Sequence, residues 1–287
     1  MKNAVNEPKR LKIWSELVDV KCNMPSFILI TICLSFLMVM SGCSNTPSNV
    51  GSQADMLTAS DETDGQKRAK IRLELALGYL EQGQVTIALD ETKQAIAADP
   101  NSADGYNLRG LIYMRLNDMG LARDSFARAL VLNPRDGNVL HNYGWLSCQE
   151  SRYVESLGYF DRALSSPAYI GQAKTQLTKG ICQLRMGDKL QAENSFLRSF
   201  ELDAGNPITA FNLAGLMFQR KDLVRAQFYI RRLNNTEYAN AESLWLAAKI
   251  EKKMGNNDGV SQLIDRLKKR FPSSNELMLF ERGAINE

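Results

Sequence analysis

Pro100 and Pro134 stand 34 residues apart, and the residues leading to each correspond in kind: Ala76, Tyr79, Ala88 and Ala95 before the first, Gly110, Tyr113, Ala122 and Ala129 before the second. Self-similarity at a fixed period constrains a fold more than any other feature. Each period is then a unit that cannot bury its apolar face alone and must stack on its neighbours. Continued along the chain, the frame starts units near Ala69, Ala103, Gly137, Ala173, Pro207 and Ala241. Position 8 reads Ala76, Gly110, Gly144, Gly180, Ala214 and Ala248, and position 20 reads Ala88, Ala122, Ser156, Ala192, Ala226 and Val260. Two amphipathic helices per unit explain both rows, because only small side chains at a crossing let two helix backbones close to about 8–10 Å.

Small residues at 8, 20 and 27, an aromatic or large residue at 11 and Pro at 32 resemble the tetratricopeptide repeat. That resemblance implies an all-α, right-handed solenoid of about six helix-turn-helix repeats over residues 67–274, with a capping helix and tail over 275–287. Position 24 takes Phe126, Phe160 and Phe196 in units two to four. Several positions depart from the pattern. Unit three is two residues longer, with Ser165-Ser166-Pro167 after its second helix, and unit one has Thr92 at position 24. Unit six has Glu251 at position 11 and Val260 at position 20, as expected of an end unit that presents a wetter face.

Ahead of the array, residues 27–40 form the apolar run FILITICLSFLMVM. Fourteen residues are short for a bilayer span, which takes about 20, and suit the apolar core of a signal peptide. Met40-Ser41-Gly42-Cys43 closes that run and resembles the bacterial lipobox, which implies a lipoprotein signal over 1–42 and diacylation of Cys43. An ordinarily cleaved or uncleaved signal and a buried core helix are the alternatives. Residues 43–66 are rich in Ser, Asn, Thr, Gly and Asp and read as a polar tether. Ser44 stands where lipoproteins kept in the inner membrane usually carry Asp, so the family rule implies the outer membrane of a Gram-negative cell, facing the periplasm. Either Met1 or Met24 can be the start.

In repeats of this type, positions 2, 5, 9, 12 and 13 of the first helix face a concave surface. Here they bring together Leu73, Leu77 and Leu80 from unit one, Asn107, Leu111 and Met114 from unit two, and His141 and Trp145 from unit three. Positions 7, 8 and 11 already serve packing, so this apolar stripe lies on another side. It predicts a protein-binding groove suited to an extended or helical segment. Asn142 and Asn212 fall at position 6, where asparagines of some family members bond a ligand backbone. Unit six, with Lys249, Lys252 and Lys253 inward, departs from the stripe.

Chemistry is sparse. His141 is the one histidine, and no Gly-rich phosphate loop, HExxH or CxxC occurs. No enzyme activity, cofactor, metal or small-molecule substrate is therefore predicted. Five of 35 basic and three of 32 acidic residues precede residue 44, leaving 30 against 29 and no general surface for nucleic acid. Once Cys22, Cys33 and Cys43 are accounted for by the signal and lipid, Cys148 and Cys182 remain on first helices of neighbouring units. They form either a disulfide clamping the two units or two buried thiols.

The stretch from Asn142 to Arg162, NYGWLSCQESRYVESLGYFDR, and the following ALSSPAYIGQAK and KGICQLRMGD resemble the type IV pilus biogenesis lipoproteins of the PilF/PilW family. Ser156 in place of the usual Ala, and the lack of Gly before Arg152, are mild departures. The resemblance implies a pilotin: a lipid-anchored outer-membrane scaffold that binds secretin (PilQ-like) subunits and promotes their localisation and multimerisation. An adaptor for peptidoglycan hydrolases or another envelope complex is the second reading.

Overall fold

The computed structural model describes residues 61–286, and within them the chain forms thirteen α-helices and a closing 3₁₀ turn, with no strand. The helices pair in chain order. Unit one comprises α1 (Asp64–Glu81) and α2 (Val85–Ala98), unit two α3 (Ala103–Arg115) and α4 (Met119–Leu132), and unit three α5 (Gly137–Gln149) and α6 (Tyr153–Leu164). Unit four comprises α7 (Gln172–Met186) and α8 (Lys189–Leu202), unit five α9 (Pro207–Gln219) and α10 (Leu223–Asn234), and unit six α11 (Ala241–Lys253) and α12 (Asn257–Arg270). A short α13 (Asn275–Glu281) and the turn Ala284–Asn286 follow.

Helix α1 starts three residues before the expected boundary at 67, for a local reason. The Thr63 side chain accepts the amide of Gln66 while the Gln66 side chain accepts the amide of Thr63, a reciprocal cap that satisfies two amides otherwise left bare. Side chains of Ser102, Asp118, Asp136, Asp188, Asn206, Asp222, Asn240, Asn256 and Ser274 also accept first-turn amides and cap later helices. Between the two helices of every unit the chain turns through a left-handed residue at position 15: Gly83, Asn117, Ser151, Gly187, Lys221 and Gly255. Glycine occupies that conformation without strain; Ser151 and Lys221 do not.

Packing inside a unit couples positions 8 and 24. Units two to four have glycine at 8, where an added Cβ would lie 2.5 Å from the Phe126 ring, 2.8 Å from Phe160 and 2.6 Å from Phe196. The outer units carry Ala76, Ala214 and Ala248 at position 8 and the smaller Thr92, Ile230 and Ile264 at position 24, all buried. Thr92 is thus half of a size-matched pair, and its hydroxyl is satisfied by the Ala88 carbonyl at 2.7 Å. The two extra residues of unit three place Tyr169, 7% exposed, where a Cβ on Gly137 would touch its ring at 2.5 Å.

Glu251 corrects the expectation of a wet end face. It is buried and accepts from Asn256 Nδ2, Arg231 and Gln227 Nε2, each at 2.8 Å. Burial alone would raise its pKa, but these hydrogen bonds outweigh that and hold the carboxyl below its usual range. Leu244, Ile264 and Leu267 of unit six pack with Leu277 and Ile285 of the closing segment, which removes them from water.

Candidate protein-binding groove

The first helices of units one and two line a groove of about 720 Å³. Positions 5 and 9 build its floor: Leu73 and Leu77 from α1, Asn107 and Leu111 from α3. Leu77 is 47% exposed, an apolar side chain left in water by the fold itself. Short side chains at Ala69 and Ala103 deepen the space between the helices. Leu80 and Met114, at position 12, turn instead toward the cores that their units share with the next ones and do not line this cavity.

The rim is acidic. Glu62, Glu74, Asp99, Asp104 and Asp136 line it against a single Lys70. Burial, and then repulsion from Asp136, hold the Asp104 carboxyl above its ordinary range. Asp136 is itself committed to capping α5 through the amides of Asn138 and Val139, at 2.8 and 3.2 Å, and Asp99 accepts the amide of Asn101 at 3.1 Å. Folding therefore fixes part of this negative charge beside the apolar floor. Glu74, at position 6 of unit one, is within reach of a sequence reading that tabulates that position across the units. Glu62 precedes the repeat frame, so no periodic signal points to it.

Beyond unit two the predicted stripe divides. Asn142 Nδ2 donates to Asn107 Oδ1 at 2.9 Å, tying α5 to α3 and committing one donor of the amide. Asn212 donates to the Ile208 carbonyl one turn back in its own helix, at 2.8 Å. Trp145 is partly exposed and carries the Arg185 guanidinium over its ring at 4.9 Å.

His141 does not line the groove, which corrects its sequence assignment. Only 4% exposed, it lies between α5 and α7, with Nδ1 2.8 Å from Thr175 Oγ1 and its ring 5.9 Å from Phe160. Tyr169 Oη sits 2.6 Å from the same Thr175 hydroxyl. Burial, reinforced by the Lys174 charge, pushes the imidazole pKa down to about 4, so it is neutral near pH 7. Position 5 is used here for packing because Thr175, Phe160 and the Tyr169 hydroxyl gather around the imidazole.

Cys148 and Cys182 complete that closure. They are joined by a disulfide with Cα atoms 5.9 Å apart, and both are buried. Ser156 Oγ lies 3.3 Å from Cys182 Sγ and donates to the Gly144 carbonyl at 2.7 Å, which gives position 20 of unit three a use for its hydroxyl. Cys43 and the apolar run before it lie outside the described residues.

Comparison with known proteins places this architecture. The tetratricopeptide repeat family model matches residues 73–137. The type IV pilus assembly protein PilF of Pseudomonas aeruginosa is 27% identical over 73% of this chain and 83% of its own length. A solved structure of that protein superposes with a TM-score of 0.70 at 25% identity, covering 77% of this chain and all of the chain in that structure. The crystal structure of PilW, described as a widely conserved type IV pilus biogenesis factor, superposes with a TM-score of 0.67 at 30% identity, over 74% of this chain and 97% of PilW. YrrB, a repeat protein with an unusual peptide-binding site, is similar in fold alone at 15% identity and a TM-score of 0.54.

Proposed function

The chain belongs to the PilF/PilW family of tetratricopeptide-repeat proteins of type IV pilus biogenesis, and from that premise we propose that it acts as a pilotin. In this reading Cys43 carries lipid, the chain faces the periplasm from the outer membrane, and the groove receives a segment of a secretin subunit. The observation that carries it is the apolar floor of Leu73, Leu77 and Leu111, held open between two first helices. A subunit bound for a membrane channel exposes apolar segments before assembly. A preformed apolar trough shields such a segment without rearranging its own fold. Diacylation would confine that search to the membrane surface, because two acyl chains hold far better than one. The work is binding alone, with no chemical step.

Immunoblotting of heat-resistant secretin multimers tests this reading in cells carrying Leu77→Glu with Leu111→Glu. Multimers should fall to the level of a deletion strain and twitching should stop, while the protein itself persists at normal abundance. Multimers unchanged by both the substitutions and the deletion would reject the pilotin role.

A further inference from the structure

The row of position 9 residues along the first helices reads Leu77, Leu111, Trp145, Ile181, Gly215 and Lys249, and its chemistry changes midway. At the far end, in units four to six, two cations of the first helices sit on aromatic rings. Lys249 Nζ lies 5.8 Å from the centroids of both Phe218 and Trp245, and Arg185 lies over Trp145. Among the described residues, neither cation has a carboxylate within ion-pair distance. Some other cations of the array do: Arg72 meets Glu91 at 2.7 Å, Arg220 meets Glu193 at 2.9 Å and Arg231 meets Glu251 at 2.8 Å. A cation resting on a ring keeps its charge uncompensated and its other donors open to an incoming anion.

Gly215 is the second observation. A Cβ there would meet nothing within 4 Å, whereas one on Gly180 would strike Phe196 at 2.6 Å. Packing therefore gives no reason for a glycine in the middle of α9, where it costs about 1 kcal/mol relative to alanine. Its effect is a notch in the position 9 row, between Ile181 and Lys249. Ile208, on the same helix, is 53% exposed.

We propose that the concave face of units four to six is a second docking surface, for an extended partner-protein segment in which acidic residues alternate with apolar ones. The carboxylates meet Arg185 and Lys249, and the segment's backbone runs close to α9 over Gly215. Charge complementarity chooses this occupant, and it also excludes it from the acidic groove of units one and two. The surface is separate from the secretin groove, so its occupancy does not depend on the pilotin reading.

The test uses the purified full-length chain and a dye-labelled synthetic peptide alternating Glu or Asp with Leu and Phe, followed by fluorescence anisotropy. A counterpart with Lys for every acid is the control. The acidic peptide should bind, with affinity falling as salt rises. Arg185→Glu with Lys249→Glu should weaken it by roughly tenfold or more, given the cost of placing like charges together. Gly215→Leu should weaken it without changing charge, and it favours the helix, so a loss cannot be ascribed to unfolding. Leu77→Glu with Leu111→Glu should leave it unchanged. Equal binding of the two peptides, or wild-type affinity in the Arg185 and Lys249 variant, overturns the proposal. The secretin multimer assay on the Leu77 and Leu111 variant is independent of either result.

Discussion

At position 5 of the repeat, units one and two hold Leu73 and Asn107 against open space, whereas unit three buries His141 between Thr175 and Phe160. At position 12 the contrast recurs: Leu80 and Met114 are partly buried by apolar packing alone, and Cys148 is bonded across to Cys182. One 34-residue frame thus makes a groove wall in one place and an interface in the next. Which result occurs depends on the side chains that the next unit sets against the position. Units three and four are drawn together by a covalent bond, a His–Thr–Tyr chain of polar contacts and the buried Tyr169, and units one and two have none of these. The groove lies beside the pair of units that the disulfide joins.

Removing the disulfide is the largest break in that comparison. It closes a sequence separation of 34 residues, and chain entropy alone assigns such a link roughly 4 kcal/mol. Cys148→Ala with Cys182→Ala should lower stability by an amount of that order and raise amide exchange across residues 137–202. Exchange in α1 should change little, because stacked repeats interact only with their neighbours. Equal loosening of unit one would show that the array melts as a single block.

Acid should act on the same interface. Folded His141 is held at a pKa of about 4, against 6.5 for the free side chain, so between these values the unfolded chain takes up a proton that the folded chain refuses. Stability is full above pH 6.5 and declines as pH drops toward 4, by on the order of 3 kcal/mol, since each pH unit between the two values is worth about 1.4 kcal/mol. Urea midpoints at pH 7.5 and pH 4.5 measure this. The interval should narrow in His141→Asn, which has no imidazole to protonate; an unchanged interval would place the acid sensitivity in the carboxylates instead.

Much of this contrast is invisible in the sequence, and particular residues show why. The pairing of Ala or Gly at 8 with small residues at 20 is legible, because a helix crossing leaves a strict volume limit at fixed spacing. The all-α repeat follows from it. His141 escapes the same logic because a repeat frame states which way a position points and not which side chains the next unit sets against it. Tyr169, which packs on Gly137 and meets the Thr175 hydroxyl, falls at position 33, where no other unit has an aromatic residue, in the loop of the one unit that is two residues longer. Glu251 looks like a surface residue in the sequence because its three donors come from Arg231 and Gln227 on the previous unit and Asn256 in the following turn. Of the acidic rim, Asp104 is legible as an inward position 2 residue, and the rest is hidden for a related reason: Glu62 lies outside the frame, Glu74 is at position 6, and Asp99 and Asp136 are at helix ends.

Glycine substitutions separate the two regions at smaller scale. Gly144→Ala in unit three pushes a methyl to 2.8 Å from Phe160 and 3.2 Å from the Ser156 carbonyl, an overpacking that should cost about 1–3 kcal/mol. Gly78→Ala in unit one meets nothing within 4 Å and should stabilise by about 0.5–1 kcal/mol, since alanine restricts the unfolded chain and favours the helix. Thermal midpoints moving in opposite directions are the expected result. A loss at both sites would mean that unit one is as tightly filled as unit three.

The smallest effect concerns the left-handed turn, where unit one has Gly83 at φ 77° and unit three has Ser151 at φ 61°. A side chain in that region costs about 1–2 kcal/mol, and glycine returns part of the difference by loosening the unfolded chain. Ser151→Gly should therefore stabilise by about 0.5 kcal/mol, and Gly83→Ser should cost a similar amount. The Ser151 hydroxyl accepts a weak 3.4 Å bond from the Tyr153 hydroxyl, in an exposed setting where its removal matters little. Ser151 also donates its amide to the Cys148 carbonyl at 3.0 Å, so the strained turn and the disulfide share one stretch of backbone. A gain at 151 that disappears once Cys148 and Cys182 are replaced would mean that the disulfide holds the turn in its left-handed form. A gain that persists would assign the strain to the turn alone, as at Lys221 in unit five, which has the same geometry with no disulfide in its unit.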